Sequence, residues 1–467
     1  MSASDSESSN EGEQIRVSLR LAASVKDRTL EVPTEPIAVP ADIGRKGLSA
    51  VVNHLLGRPI PGEDDDDSDN ASSTSSESDK LPQLNLEFIL GKSNKLLRKG
   101  VEKEARQNGL SLEEEIPIVY FPAVDVPNLS DEREELPDWI SCLSHEHNKE
   151  VLFAGCYDGS LHLYQSSKGA LKEISKTHVA SGPIKCLATW QSDDDVMVAS
   201  ASMDQSLAIH SFSDGSLQHL GTCTNENQSS AISSLAFNNR IASGDGSGTI
   251  CIWDLENLKE SLPLDTKSKR MKTSGGHHSL KAFNAQVIMP KSHGQTISGL
   301  SWGNHDLTSN SHLISGSWDH SIKLWDVEKQ DCLLTLNGAR IVTCLDTSYH
   351  SEGVVATGHP DCTVRLWDVR TNNESHTALI ADNTFRPSHK SWISGVQWSR
   401  SNAYHLASTS HDGTVKLWDI RSSSPLHSLR PFPKEEKGLC LEWEDSGDGH
   451  GTMYAGGTDC ILKVITL

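Results

Sequence analysis

Apolar and polar positions alternate through most of this chain, in short runs punctuated by Gly, Asp and Ser. Period-two runs of this kind predict half-buried strands. One run keeps returning. In SGSWDHSIKLWD, 315–326, Asp319 precedes Trp325 by six positions. The same step joins Asp361 to Trp367 and Asp412 to Trp418. Weaker copies pair Asp158 with Tyr164, Asp204 with His210 and Asp459 with Ile465, and in another Ser247 stands before Trp253. The seven first positions lie 46, 43, 72, 42, 51 and 47 residues apart. Apart from the 72-residue step, they follow the roughly 40–45-residue period of a propeller blade. Second apolar runs precede the copies, such as TISGLSW at 296–302, WISGVQW at 392–398 and GLCLEW at 438–443. Four strands per unit and seven units predict a mainly β, seven-bladed propeller over 125–467. The last blade lacks an outer strand after its third run, so the chain before Trp139 should supply it.

The period changes before residue 125. QIRVSLRL alternates at Ile15, Val17, Leu19 and Leu21, and VKDRTLEVP reads as a turn and a second strand. GLSAVVNHLLG, 47–57, places Leu48, Val51, Val52, Leu55 and Leu56 on one helical face, with Gly57 as its stop. NLEFIL at 85–90 reads as a strand, NKLLRKGVEKEARQNGL as further helix and IPIVYF at 116–121 as a closing strand. This order predicts a small α+β, ubiquitin-like (β-grasp) domain over 13–124. PGEDDDDSDNASSTSSESDK, 61–80, has no large apolar residue and reads as a disordered acidic insertion, and 1–12 as a disordered acidic tail.

The formal charge of −21 makes general binding to a nucleic-acid backbone unfavourable. The exception is local. Lys267, Lys269, Arg270 and Lys272 cluster in the insertion behind the 72-residue step, about 255–292. They read as a solvated loop, with a nuclear-import signal or an RNA contact as functional alternatives. Ten cysteines without a C-x-x-C pair argue for a reducing compartment. No long apolar run suggests a membrane span. Neither a G-x-S-x-G motif nor a metal-ligand cluster appears, so the chain is not expected to be an enzyme, and it holds no cofactor of its own.

The repeated Asp and Trp positions resemble those of WD-repeat proteins. In that family the turn Asp bonds an upstream His in a network that reaches the Trp. His293 and His389 stand where that His is required before the copies at Asp319 and Asp412. These residues therefore read as architecture. A ubiquitin-like domain followed by a seven-bladed propeller resembles the NLE-domain WD-repeat ribosome-biogenesis proteins. RKGLSAVVNHLL at 45–56 and GLSLEEEIPIVYFPAV at 109–124 carry the likeness, with SWDHSIKLWDVE at 317–328 in support.

The resemblance implies a nuclear and nucleolar scaffold. Its propeller would join pescadillo-type and block-of-proliferation-type proteins on precursors of the large subunit. Its ubiquitin-like domain would be gripped by the metal site of the AAA ATPase midasin and pulled off the particle. The implied ligand to the partner-held Mg²⁺ is Glu113, with Glu114 and Glu115 adjacent in register. By spacing alone these three glutamates are an exposed, solubilising turn. A competing reading is a substrate receptor for a cullin-type ubiquitin ligase, with Arg370 and Arg421 of the W-D-x-R runs as adaptor contacts.

Overall fold

A computed structural model describes residues 14–58, 82–91, 94–130, 134–167, 170–192, 195–213, 215–224, 230–254, 281–303, 312–351, 353–370, 389–445 and 451–467. The chain divides into two compact units, Met1–Asp125 and Val126–Leu467.

The first unit is a mixed sheet with two helices. Its elements are β1 (Gln14–Leu21), β2 (Ile37–Pro40), α1 (Arg45–Leu55), β3 (Leu86–Leu90), α2 (Val101–Gln107) and β4 (Ile116–Pro122). The sheet order is β2-β1-β4-β3. The outer pairs are antiparallel and the central β1–β4 pair is parallel, with Val17 opposite Ile116 and Leu19 opposite Ile118. A parallel centre between chain-terminal strands is the β-grasp arrangement. Ile15, Val17 and Leu19 alternate into a core completed by Leu48, Val52, Phe88 and Tyr120.

Two expectations needed correction. The second strand is not in 25–33. Arg28–Leu30 is a short 3-10 turn, and the strand comes later, at Ile37–Pro40. Tyr120 Oη explains the intervening stretch: it donates to Leu30 O (2.7 Å) and accepts from Val32 N–H (2.9 Å), so no strand partner is required there. The helix expected through 94–110 is confined to Val101–Gln107, because Leu96 bridges to Ile89 beside β3.

Around the insertion, Asn53 donates to Leu84 O (2.9 Å) and accepts from Leu84 N–H (2.9 Å), while Arg58 donates to Pro82 O (2.6 Å). The chain thus leaves and re-enters at neighbouring points. The acidic segment 61–80 and the tail 1–12 lie outside the described residues.

The second unit is a ring of seven sheets, numbered here as blades one to seven. Their first strands are Ile140–Glu146, Ile184–Ser192, Ile232–Asn238, Ile297–Trp302, Cys344–Thr347, Ile393–Trp398 and Gly438–Asp445. Each first strand lies beside the next, and Gly438–Asp445 lies beside Ile140–Glu146, which closes the ring. Five seams carry a hydroxyl latch. Ser233, Ser298, Thr343 and Ser394 donate to Ile297 O, Val342 O, Ile393 O and Gly438 O at 2.6–2.7 Å, and Ser141 donates to Ile184 O.

The chain before Trp139 does complete the last blade. Asn128–Leu129 pairs with Ile465 and Thr466, and Glu134–Glu135 pairs with Ile461 and Leu462. This covers an edge otherwise open to intermolecular pairing. The region behind the 72-residue step is not wholly a loop, as its expected bounds of 255–292 implied. Lys281–Asn284 adds a parallel fifth strand to blade two, and Val287–Met289 is the outer strand of blade three.

Candidate functional site

Glu113 lies between α2 and β4. The turn that carries it is pinned from both sides. Gly109 takes a left-handed φ of 68° after α2, where a side chain would be strained. Leu110 N–H bonds Ala105 O (2.9 Å), and Leu110 and Leu112 pack onto the core. Ile116 then enters β4 fully buried. Glu113, Glu114 and Glu115 between these anchors are all exposed. Ser111 Oγ accepts the Glu113 N–H at 3.3 Å, which orders the backbone beneath the carboxylate. The geometry offers a partner three adjacent carboxylates on a short anchored turn. Such oxygens suit a hard, octahedral cation held elsewhere with one position open.

The repeated residues form polar chains through the blades. In blade four, Asp319 Oδ2 faces His293 Nδ1 at 2.9 Å, His293 Nε2 reaches Ser315 Oγ at 2.6 Å, and Trp325 Nε1 donates to the same oxygen at 2.8 Å. Blade six repeats it with Asp412, His389, Ser408 and Trp418 at 3.3, 2.8 and 2.9 Å. Burial holds the His293 pKa down, against the pull of Asp319. Hydrogen bonds from Ser321 and Gly294 and the nearby His293 bring Asp319 down to about 2, against burial.

Blade five departs from this pattern. Its histidine is His359, inside the repeat, bonding Thr357 Oγ1 (2.8 Å) and Ile341 O (2.8 Å), while Trp367 Nε1 donates to Thr357 (2.7 Å). Asp361 is thereby released to pair with Arg365 at 2.6 Å. In blade three Asp245, two positions before Ser247, accepts the turn N–H groups of Ser247 and Thr249.

Arg370 and Arg421 are both engaged by their own blades. Arg370 makes two bonds to Asp368, at 2.9 and 2.7 Å. Arg421 does the same to Asp419, at 2.9 and 2.6 Å, and stacks over Tyr404 at 4.0 Å. Lys267, Lys269, Arg270 and Lys272 lie outside the described residues. The sequence reading missed Arg400 and Glu442, which line one mouth of the ring, and Asp346, which accepts from Trp398 N–H beside them. They stand on three different repeats and off the Asp–Trp register, so no local pattern marks them.

Residues 17–71 match the NLE (NUC135) domain family, and 218–254 and 286–326 match the WD domain, G-beta repeat family. The chain thus carries a segment similar to the NLE domain ahead of segments similar to WD repeats. Residues 332–431 also match the nucleolar protein 10-like N-terminal domain. Three relatives cover 93% or more of the chain. The ribosome biogenesis protein WDR12 homolog of Chlamydomonas reinhardtii is 28% identical over 93% of this chain and 94% of its own. The WDR12 homolog of Oryza sativa subsp. japonica is 29% identical over 93% of each chain. That of Arabidopsis thaliana is 27% identical over 97% of this chain and 98% of its own.

Proposed function

We propose that this protein is a non-enzymatic scaffold of ribosome biogenesis, acting in the nucleus and nucleolus on precursors of the large subunit. The carrying observation is the likeness, over both units, to proteins named for ribosome biogenesis. In this reading the propeller joins pescadillo-type and block-of-proliferation-type partners. The β-grasp unit is a handle. Glu113 fills the open position of a Mg²⁺ held by a midasin-type AAA ATPase, and ATP-driven motion removes the assembly. The exposed Glu113 on its anchored turn supports this role.

The test is capture of the full-length chain by the partner's metal-site domain. Glu113→Ala removes the ligating oxygen, Glu113→Gln leaves a neutral ligand, and Glu113→Asp shortens the reach by one methylene. All three should weaken capture, as should chelation of Mg²⁺ from the wild type. Binding to pescadillo-type partners should persist. Metal-independent capture that Glu113→Ala leaves unchanged would refute the handle. Loss of both interactions would point instead to damaged folding.

A further inference from the structure

The mouth of the ring where first and second strands turn opens onto a cavity of about 820 Å³. Its two walls differ. On the side of blades two to four stand Trp190, Phe237 and Trp302, with Trp190 and Phe237 stacked at 4.8 Å between centroids. The facing wall, from blades one, six and seven, is rich in hydrogen-bond acceptors.

Glu442 is 9% exposed. Its carboxylate accepts from His145 N–H at 3.3 Å and from Gln397 Nε2 at 3.0 Å. Gln397 spends its amide N–H on Glu442, and its buried Oε1 has no partner. The tautomers of two histidines follow from the neighbouring bonds. Ser166 Oγ donates to Glu444 (3.2 Å), so it accepts from His145 Nε2–H, 3.1 Å away. His145 Nδ1 is then a lone pair, and His147 Nδ1–H, 3.3 Å away, donates to it. That leaves His147 Nε2 unprotonated, buried and without a partner. Burial keeps both rings neutral, with His145 lowered to about 4 and His147 to about 3, the nearby Arg400 contributing.

The charges lean the same way. Arg400 lines the cavity over the Tyr349 ring, 4.8 Å from its centroid. It lies near two carboxylates, the half-buried Asp346 behind the wall and the buried Glu442, and Glu146 also lines the cavity. Burial pushes Asp346 up to about 6 and Glu442 up to about 7, with Arg400 pulling both down. One guanidinium does not neutralise this wall.

We propose that this mouth receives an arginine side chain carried on an extended segment of a partner protein, its guanidinium against Glu442, Gln397 and His147 and its stem against the Trp190–Phe237 wall. Arginine brings five N–H donors, no acceptor and a flat, weakly hydrated face that stacks on aromatic rings. The cavity holds more than one guanidinium, so residues flanking the arginine enter too. A nucleic-acid backbone would instead bring phosphates against Glu146 and Glu442, like charge against like.

The test uses the full-length chain and a labelled peptide, Gly-Ala-Phe-Arg-Ala-Gly, read by fluorescence anisotropy. A second peptide carries citrulline, the neutral isostere, in place of arginine. The arginine peptide should bind at least about tenfold tighter than the citrulline peptide, and Glu442→Gln should erase that difference. Gln397→Met, which removes the unpartnered oxygen and keeps the volume, should weaken binding; it also removes the bond to Glu442, so the melting temperature should fall while unfolding stays a single cooperative transition. Equal binding of the two peptides, no binding of either up to about 1 mM, or a preference that survives Glu442→Gln would overturn the proposal. So would displacement of the peptide by equimolar spermidine, which would assign the cavity to free polyamines. If Glu442→Gln does not fold, the arginine-to-citrulline ratio on the wild-type chain still decides.

Discussion

Single oxygen atoms hold much of this protein together. Ser315 Oγ takes the Trp325 indole N–H and contacts His293, so one hydroxyl joins two buried rings. Trp325→Ala removes the ring and leaves a void, at a cost of about 3–5 kcal/mol. A thermal melt should show it, and partner binding should fall only with the fold. Tyr120 plays the corresponding part in the β-grasp unit. Tyr120→Phe orphans Val32 N–H and should cost about 1–3 kcal/mol. Hydrogen exchange should accelerate in residues 28–40 while the propeller strands stay protected. At this scale the sequence was partly legible. His293 and His389 could be placed because the spacing to Asp319 and Asp412 repeats. His359 could not, because it stands after its strand rather than upstream of it. The Glu442–His145 contact joins residues 297 apart, and no local pattern reports such a pair.

Among the elements, the turn after the second strand of each blade has a shared conformation that the sequence conceals. The residue following the turn Asp or Ser has positive φ in all seven blades: Gly159, Gln205, Gly248, His320, Cys362, Gly413 and Cys460. Only three are glycine, so the turn chemistry was not evident from composition. A side chain there costs about 1–2 kcal/mol of strain, and glycine has an entropic cost of its own. His320→Gly should therefore raise the melting temperature modestly. Gly159→Ala should lower it, because the added methyl would strike Ala180 O. The strands themselves were legible, since TISGLSW, WISGVQW and GLCLEW alternate cleanly and become first strands of blades. The second strand of the β-grasp unit was misplaced because Leu30 and Val32 are buried like strand residues while their polar groups go to Tyr120. Closure of the last blade makes a further test. A chain starting at residue 126 should run as a monomer in size exclusion. One starting at 138 exposes the edge of Ile461–Thr466 and should self-associate.

For the whole molecule, pH sets buried histidines against carboxylates. Burial lowers His145 and His359 to about 4 and His147 and His210 to about 3. In each case the unfolded chain takes up protons first as pH falls below about 6.5. Their stabilising contribution is present above that pH and is lost as pH falls toward about 4. Glu442, raised to about 7, and Asp346, raised to about 6, act oppositely, because the folded state holds their protons more tightly. Four histidines outweigh two carboxylates, so the urea midpoint of the propeller should drop between pH 7 and pH 5. Glu442→Gln should steepen that drop. The closing strand has a consequence in time. Thr466 Oγ1 reaches Asn128 O, a partner 338 residues earlier in the chain. At about 5–20 residues per second, synthesis separates the two by about 17–70 s. The first piece of the last blade must therefore wait, unpaired, until Ile461–Thr466 has been made, and the ring closes only then.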